Sequence, residues 1–175
     1  MLFTTITDLA ANQDVIRRRA YGVIETRQGQ FVSLKFKPWP KLISATEAAW
    51  TTALPNSRTV IDRCRVYFNQ PVGHKSYLAL KFIESTLGTT MATLRCAMVA
   101  LDEVARIKRS DAILAHVTNE RISDRLMRRW GWESHLAGKR GRHFIKRFYG
   151  IYPPTSINLG AQTMSNATAF DINCE

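Results

Sequence analysis

The chain opens its readable pattern with two β-prone runs, residues 21–26 and 31–36, around Arg27-Gln28-Gly29-Gln30. That spacing predicts a hairpin whose turn uses Gly29 for its left-handed position. Pro38 and Pro40 end the second run. Ser44-Ala45-Thr46-Glu47 has capping-box spacing and predicts a short helix ending before Pro55. In residues 58–68, Val60, Cys64, Val66 and Phe68 fall on one face of a strand, with Asp62 interrupting that face. Residues 75–84 alternate at Leu78, Leu80 and Phe82 and are read as a strand, although Ala79 and Ile83 also permit a helix.

Farther on, Leu87, Met91, Leu94, Met98, Leu101 and Ala105 recur at the three-and-four spacing of one helical stripe. Asp102 and Arg106, four apart, are expected to pair on the solvated side of that helix. Residues 112–117 are almost continuously apolar, the pattern of a central parallel strand covered on both faces, and His116 within it reads as a hydrogen-bonded core residue. Asn119 is placed to cap a helix with the stripe Ile122, Leu126 and Trp130, and Gly131 stands where a left-handed residue would stop it. Trp132 returns to strand, and residues 142–149 form a last β-prone run after a turn supplied by Gly138 and Gly141. This alternation predicts an α/β fold, a mixed central sheet flanked by helices in one domain over residues 1–152, with 153–175 as a flexible tail.

Composition narrows the function classes. Of 175 residues, 45% are hydrophobic and 22% charged, which suits a folded globular chain. No apolar run reaches the length of a membrane-spanning helix, and the first residues lack the order of a secretion signal. Cys64, Cys96 and Cys174 form neither a disulfide framework nor a zinc spacing, so a reducing cytoplasm is expected. His74, His135 and His143 show no metal-ligand spacing, and no metal is expected. The formal net charge is +11, and between Arg106 and Arg147 twelve Lys and Arg stand against four Asp and Glu. A field of that sign attracts phosphate-bearing ligands, whether nucleic acid or a phosphorylated cofactor.

The stretch 81–149 resembles the second half of the GNAT fold of N-acetyltransferases in order, length and local residues. Ser85-Thr86-Leu87-Gly88-Thr89-Thr90 stands where that family carries a glycine-rich loop at a helix start, and it keeps only Gly88. VTNERISDRLMRRWGWE is similar to the family's strand-end Asn followed by a helix that ends in Gly and an aromatic, here Asn119 and Gly131-Trp132. The resemblance implies acetyl-CoA or another acyl-CoA, its pyrophosphate held by the amides of Leu87, Gly88, Thr89 and Thr90 and its pantetheine arm positioned by Asn119. It also implies Glu84 as the base that deprotonates an amine. The family's helical Tyr acid has no counterpart, since Met127 or Leu126 occupies its place. NERISDRLMRRWGWE and RHFIKRFYG also resemble stretches of bacterial proteins of unknown function.

Two functions are therefore expected as alternatives. One is an acyl-CoA-dependent N-acyltransferase with a degenerate pyrophosphate loop, acting on a small-molecule or protein amine. The other is a catalytically inactive GNAT-like binding module whose basic 106–147 face, with Arg121, Arg125, Arg128 and Arg129 near Phe144, Phe148 and Tyr149, holds nucleic acid or another anionic partner.

Overall fold

A computed structural model describes residues 4–37, 61–117, 122–136 and 142–155. The expected capping box and helix of 44–54, Val60, Asn119, Arg121, Gly138, Gly141, Cys174 and the tail beyond 155 lie outside these residues. Within them the elements run β1 (Thr4–Ile6), α1 (Gln13–Arg18), β2 (Tyr21–Arg27), β3 (Gln30–Phe36), β4 (Arg63–Asn69), β5 (Tyr77–Ser85), α2 (Met91–Lys108), β6 (Ala112–Val117), α3 (Asp124–Arg129), β7 (Glu133–His135) and β8 (Arg142–Arg147). The strands make one mixed sheet in the order β1-β3-β2-β4-β5-β6-β8-β7. Among the described strands only β5 and β6 pair in parallel, joined by the crossover through α2. The α/β class with a single central sheet is thus observed as expected.

The β2–β3 hairpin closes through Gln28 and Gly29, both at positive φ (48° and 74°), the geometry that matches the strands' own twist. Cys64, Val66 and Phe68 of β4 are buried on one face, as their spacing predicted. Gly22 of β2 lies opposite Phe68. A Cβ there would stand 2.7 Å from Phe68 Cε1, so the glycine makes room for the ring.

α2 packs on one face of the sheet against β2, β3 and β4, and α1 packs against α2. Its N-cap is Thr90, whose hydroxyl accepts from the Thr93 amide, and it ends at Arg109 in the left-handed conformation (φ 54°). Buried Cys96, Ala97, Ala100, Leu101 and Val104 form its core face. The stripe read from the sequence began too early: Leu87 lies in the preceding turn and is 96% exposed, and Met91 is 56% exposed. Its later members lie on the core face, Met98, Leu101 and Ala105 buried and Leu94 packed against the core. Small Cys96, Ala97 and Ala100 complete that face and let the helix lie close to the sheet. Buried Thr26 adds a polar tie by donating to the Thr93 carbonyl at 3.0 Å.

The expected solvated pair of Asp102 and Arg106 is not formed. Arg106 binds Glu103, while Asp102 turns under the sheet and binds Lys146 of β8 at 2.6 Å, both side chains 12% exposed. At the far end of α2, Lys108 donates to the Arg19 carbonyl at 2.7 Å and to Gln70 Oε1 at 3.1 Å. Burial pulls this ammonium down to about 8. Arg17 Nε donates to the Ile107 carbonyl, so α1 satisfies part of the helix's last turn.

Two further expectations need correction. β6 is not central but third from one edge, and it is covered less completely than its apolar run implied. α3 starts later than expected, with Ser123 rather than Asn119 as its cap, its Oγ accepting from the Leu126 amide. Gly131 does follow at φ 81°, and Trp132 is buried beside β7.

Candidate functional site

The parallel pair β5 and β6 stays together for only four residues, from Tyr77 opposite Ala112 to Leu80 opposite Ala115. Beyond that point β5 continues with β4 to Ser85, whereas β6 continues with β8 to Val117. The two strands part like a V. A bulge begins at the same place. Tyr67 pairs with Phe82 and Phe68 with Leu80, which leaves Lys81 without a partner across the ladder and shifts the pleat of β5.

A cavity of about 400 Å³ fills the opening, lined by Ala79, Leu80, Lys81, Leu114, Ala115, His116, His135, Leu136, His143 and Phe144. Its size suits a small ligand or the slender end of a larger one. Strand alternation fixes what points where. Leu78 and Ile113 are fully buried in the core beneath α2, and Ala115 and Phe144 join the same core. Their neighbours Ala79, Leu114, His116 and His143 therefore project to the opposite face.

His116 was expected in the core and is instead exposed at the mouth of this opening. Its ring stacks on that of His143, directly across the β6–β8 ladder, with centroids 4.5 Å apart and planes 12° from parallel. His135 of β7 is in turn directly opposite His143. Three imidazoles from three strands thus share one cavity with Lys81. No sequence spacing could have disclosed them, because His116, His135 and His143 meet only through strand pairing.

Glu84 lies farther along β5 and is not among the cavity's lining residues. Its side chain, 31% exposed, accepts from the Tyr67 hydroxyl at 3.0 Å and lies 3.7 Å from Arg65 and 3.8 Å from Arg63. Burial, with the Glu84 charge beside it, pushes the Tyr67 phenol up to about 12. Arg65 also reaches Glu25 at 3.3 Å, and Glu25 is bound by Arg27 at 2.6 Å with Lys35 at 3.8 Å. Glu25 is 4% exposed. Burial alone would raise its pKa, but the Arg27 hydrogen bond and the charges of Arg65, Arg27 and Lys35 outweigh this and hold it below the usual carboxylate value. Two carboxylates, three guanidiniums and a phenol so form one polar network on the sheet face away from α2.

The loop expected to hold phosphate runs from Thr86 to Thr90, between β5 and α2. It is tied down by its own threonines: the Thr86 amide donates to Thr89 Oγ1 at 2.8 Å, and Thr89 Oγ1 donates to the Arg63 carbonyl at 2.6 Å. Asp62 approaches from the start of β4. Its carboxylate accepts from the Thr90 amide at 2.9 Å and from the Thr90 hydroxyl at 2.8 Å. The aspartate that interrupted the strand pattern is therefore a helix-terminus ligand, and the Thr90 amide already carries an anion. Leu87 and Gly88 stand at the tip of the turn, and among the described residues their amides have no protein partner.

Of the residues singled out from sequence, the fold gathers Leu87, Gly88, Thr89 and Thr90 in one turn and places Glu84 just before it on β5. Asn119 lies outside the described residues. Met127 is buried among core side chains. Much of the basic segment is already paired: Arg106 with Glu103, Arg142 with Asp124, Lys146 with Asp102 and Arg147 with Glu133.

No family model matches the chain, and no curated protein matches it. Among solved structures it is similar to a nourseothricin acetyltransferase. That likeness has a TM-score of 0.42 at 13% identity and covers 84% of this chain and 99% of the other.

No cluster of His, Cys, Asp or Glu suited to a metal ion is found among the described residues, and no helix among them is long and apolar enough to cross a membrane. Cys64 and Cys96 are buried, which pushes their thiols up to about 12 and about 11, so neither presents a thiolate nucleophile.

Proposed function

We propose that this protein is an acyl-CoA-dependent N-acyltransferase acting on an amine. The observation that carries the reading is the parting of β5 and β6 around a cavity, with β5 leading directly into the Thr86–Thr90 turn and the start of α2. A ligand with an acyl end and a phosphate end would find a slot between strands for the one and turn amides for the other.

The fit is good in the cavity and partial at the turn. Leu87 and Gly88 offer amides at an exposed tip, Thr89 stiffens the turn, and Thr90 caps α2 while its own amide is held by Asp62. In this reading Leu87, Gly88, Thr89 and Thr90 form the pyrophosphate turn, Asn119 orients the pantetheine arm, and the bound acyl-CoA supplies an activated thioester. The chain's residues do the rest. Leu80, Leu114 and Phe144 give the acyl end apolar walls to lie against. Glu84, kept in place by Tyr67, Arg63 and Arg65, accepts the amine proton from the open face of the sheet.

Calorimetric titration with acetyl-CoA tests this, run beside a Gly88→Trp variant that fills the turn. Micromolar binding lost in the folded variant supports the reading. No heat from folded wild-type protein at millimolar ligand refutes it.

A further inference from the structure

We infer that the stacked His116–His143 pair, with His135 beside it, is the proton-transfer site of the cavity and supplies the proton that the leaving sulfur needs. This deepens the acyltransfer reading and rests on it. Transfer of an acyl group from a thioester to an amine forms a C–N bond and breaks a C–S bond. One proton leaves the nitrogen and one must reach the sulfur. In the proposed arrangement Glu84 takes the first, and His116 gives the second; both reset with solvent, which reaches each of them.

Elimination among the described residues points to the imidazoles. Leu126 and Met127 of α3 have no proton to give, and Met127 is buried. Tyr67 is already donating to Glu84 and stands outside the cavity lining, as does Glu84 itself. Among the described residues, the cavity's lining contains four groups able to exchange a proton: Lys81 from β5, His116 from β6, His135 from β7 and His143 from β8. An ammonium holds its proton too tightly at neutral pH to be a good donor, whereas an imidazole changes charge there.

Stacking adds the second argument. The His116 and His143 rings lie nearly parallel on paired strands with centroids 4.5 Å apart, which holds both imidazoles at one wall of the cavity. His116 is open to solvent, so a donor there reloads without movement of the backbone.

The test uses the full chain with His116→Gln, His143→Gln and the wild type. First, nuclear Overhauser contacts between the His116 and His143 ring protons are measured by NMR in the folded wild type. Their presence is the expected result, and their absence would overturn the stacked pair. Second, acetyl-CoA affinity is measured by calorimetry and transfer to a panel of primary amines by thiol release across pH 5 to 9. Affinity within about twofold of wild type, with a rate at least tenfold lower and the alkaline limb of the pH profile lost in His116→Gln, supports the assignment. An unchanged profile in a variant that still binds overturns the histidine role while leaving the transferase reading intact. Absence of acetyl-CoA binding by the wild type refutes both together.

Discussion

Replacing Lys146 by Met tests how the helix that follows the Thr86–Thr90 turn is anchored to the strand that carries His143. Lys146 of β8 and Asp102 of α2 are 44 residues apart and meet at 2.6 Å with each side chain 12% exposed. Met keeps much of the volume and removes the cation, so the Asp102 carboxylate stays buried without its partner. Loss of one member of such a pair costs about 3 kcal/mol, which for a chain of this length lowers Tm by roughly 6–12 °C. Replacing both groups, as Asp102→Leu with Lys146→Met, removes the uncompensated charge and is expected to return stability to within about 1 kcal/mol of wild type. Burial raises the Asp102 pKa above the usual carboxylate value even though the charge and hydrogen bond of Lys146 pull it down. Its contribution is therefore fully present below the unfolded carboxylate pKa and is lost as pH rises through the folded value. Without Lys146 that folded value climbs further, so the single variant's deficit should narrow as pH is lowered from 7 toward the acid range. Urea unfolding at several pH values, with the m-value checked for constancy, measures all of this. A single variant within 1 kcal/mol of wild type, or a double variant showing the sum of both losses, would refute the reasoning.

Three further outcomes follow from the network and the caps. Glu25→Gln should destabilise by roughly 1–3 kcal/mol at pH 7, since it unpairs Arg27 and Arg65; because the folded Glu25 pKa is lowered, that deficit shrinks as pH falls from the unfolded carboxylate value through the folded one, as urea midpoints at successively lower pH will show. Asp62→Asn removes a negative charge from the start of α2, and if the turn takes phosphate it should tighten CoA binding roughly twofold to fivefold by calorimetry; unchanged or weaker binding would place the phosphates elsewhere. Cys64 and Cys96, with thiols pushed up to about 12 and about 11, should resist alkylation at pH 8 in native protein and react once it is unfolded, as mass spectrometry can follow.

The sequence patterns disclosed the fold where local rules decide it. Gly29 announced the hairpin, the alternation of Cys64, Val66 and Phe68 set the buried face of β4, and Gly131 stopped α3. They misled where a partner distant in the chain decides. Asp102 looked solvated because Lys146 lies on another element, and Asp62 looked like a flaw in a strand because the amide it caps is 28 residues on. His116 looked buried because one face of β6 is, while its own face opens where β5 turns away. Large side chains at Leu87 and Met91 extended the helix stripe beyond its buried part, which Met98, Leu101 and Ala105 do mark. Glu84 and the turn from Leu87 to Thr90 are neighbours in the chain and so could be named as candidates from the sequence, whereas the three histidines meet only through strand pairing.

The most direct measurement is to map, on isotopically labelled full-length protein, which backbone amides shift when CoA is added. Shifts at Leu87 and Gly88 together with Leu80, Lys81, Ala115, His116 and His143 are the predicted result, one ligand spanning the turn and the opening between β5 and β6. Shifts confined to Arg125, Arg128 and Arg129, or none at saturating CoA, would contradict it.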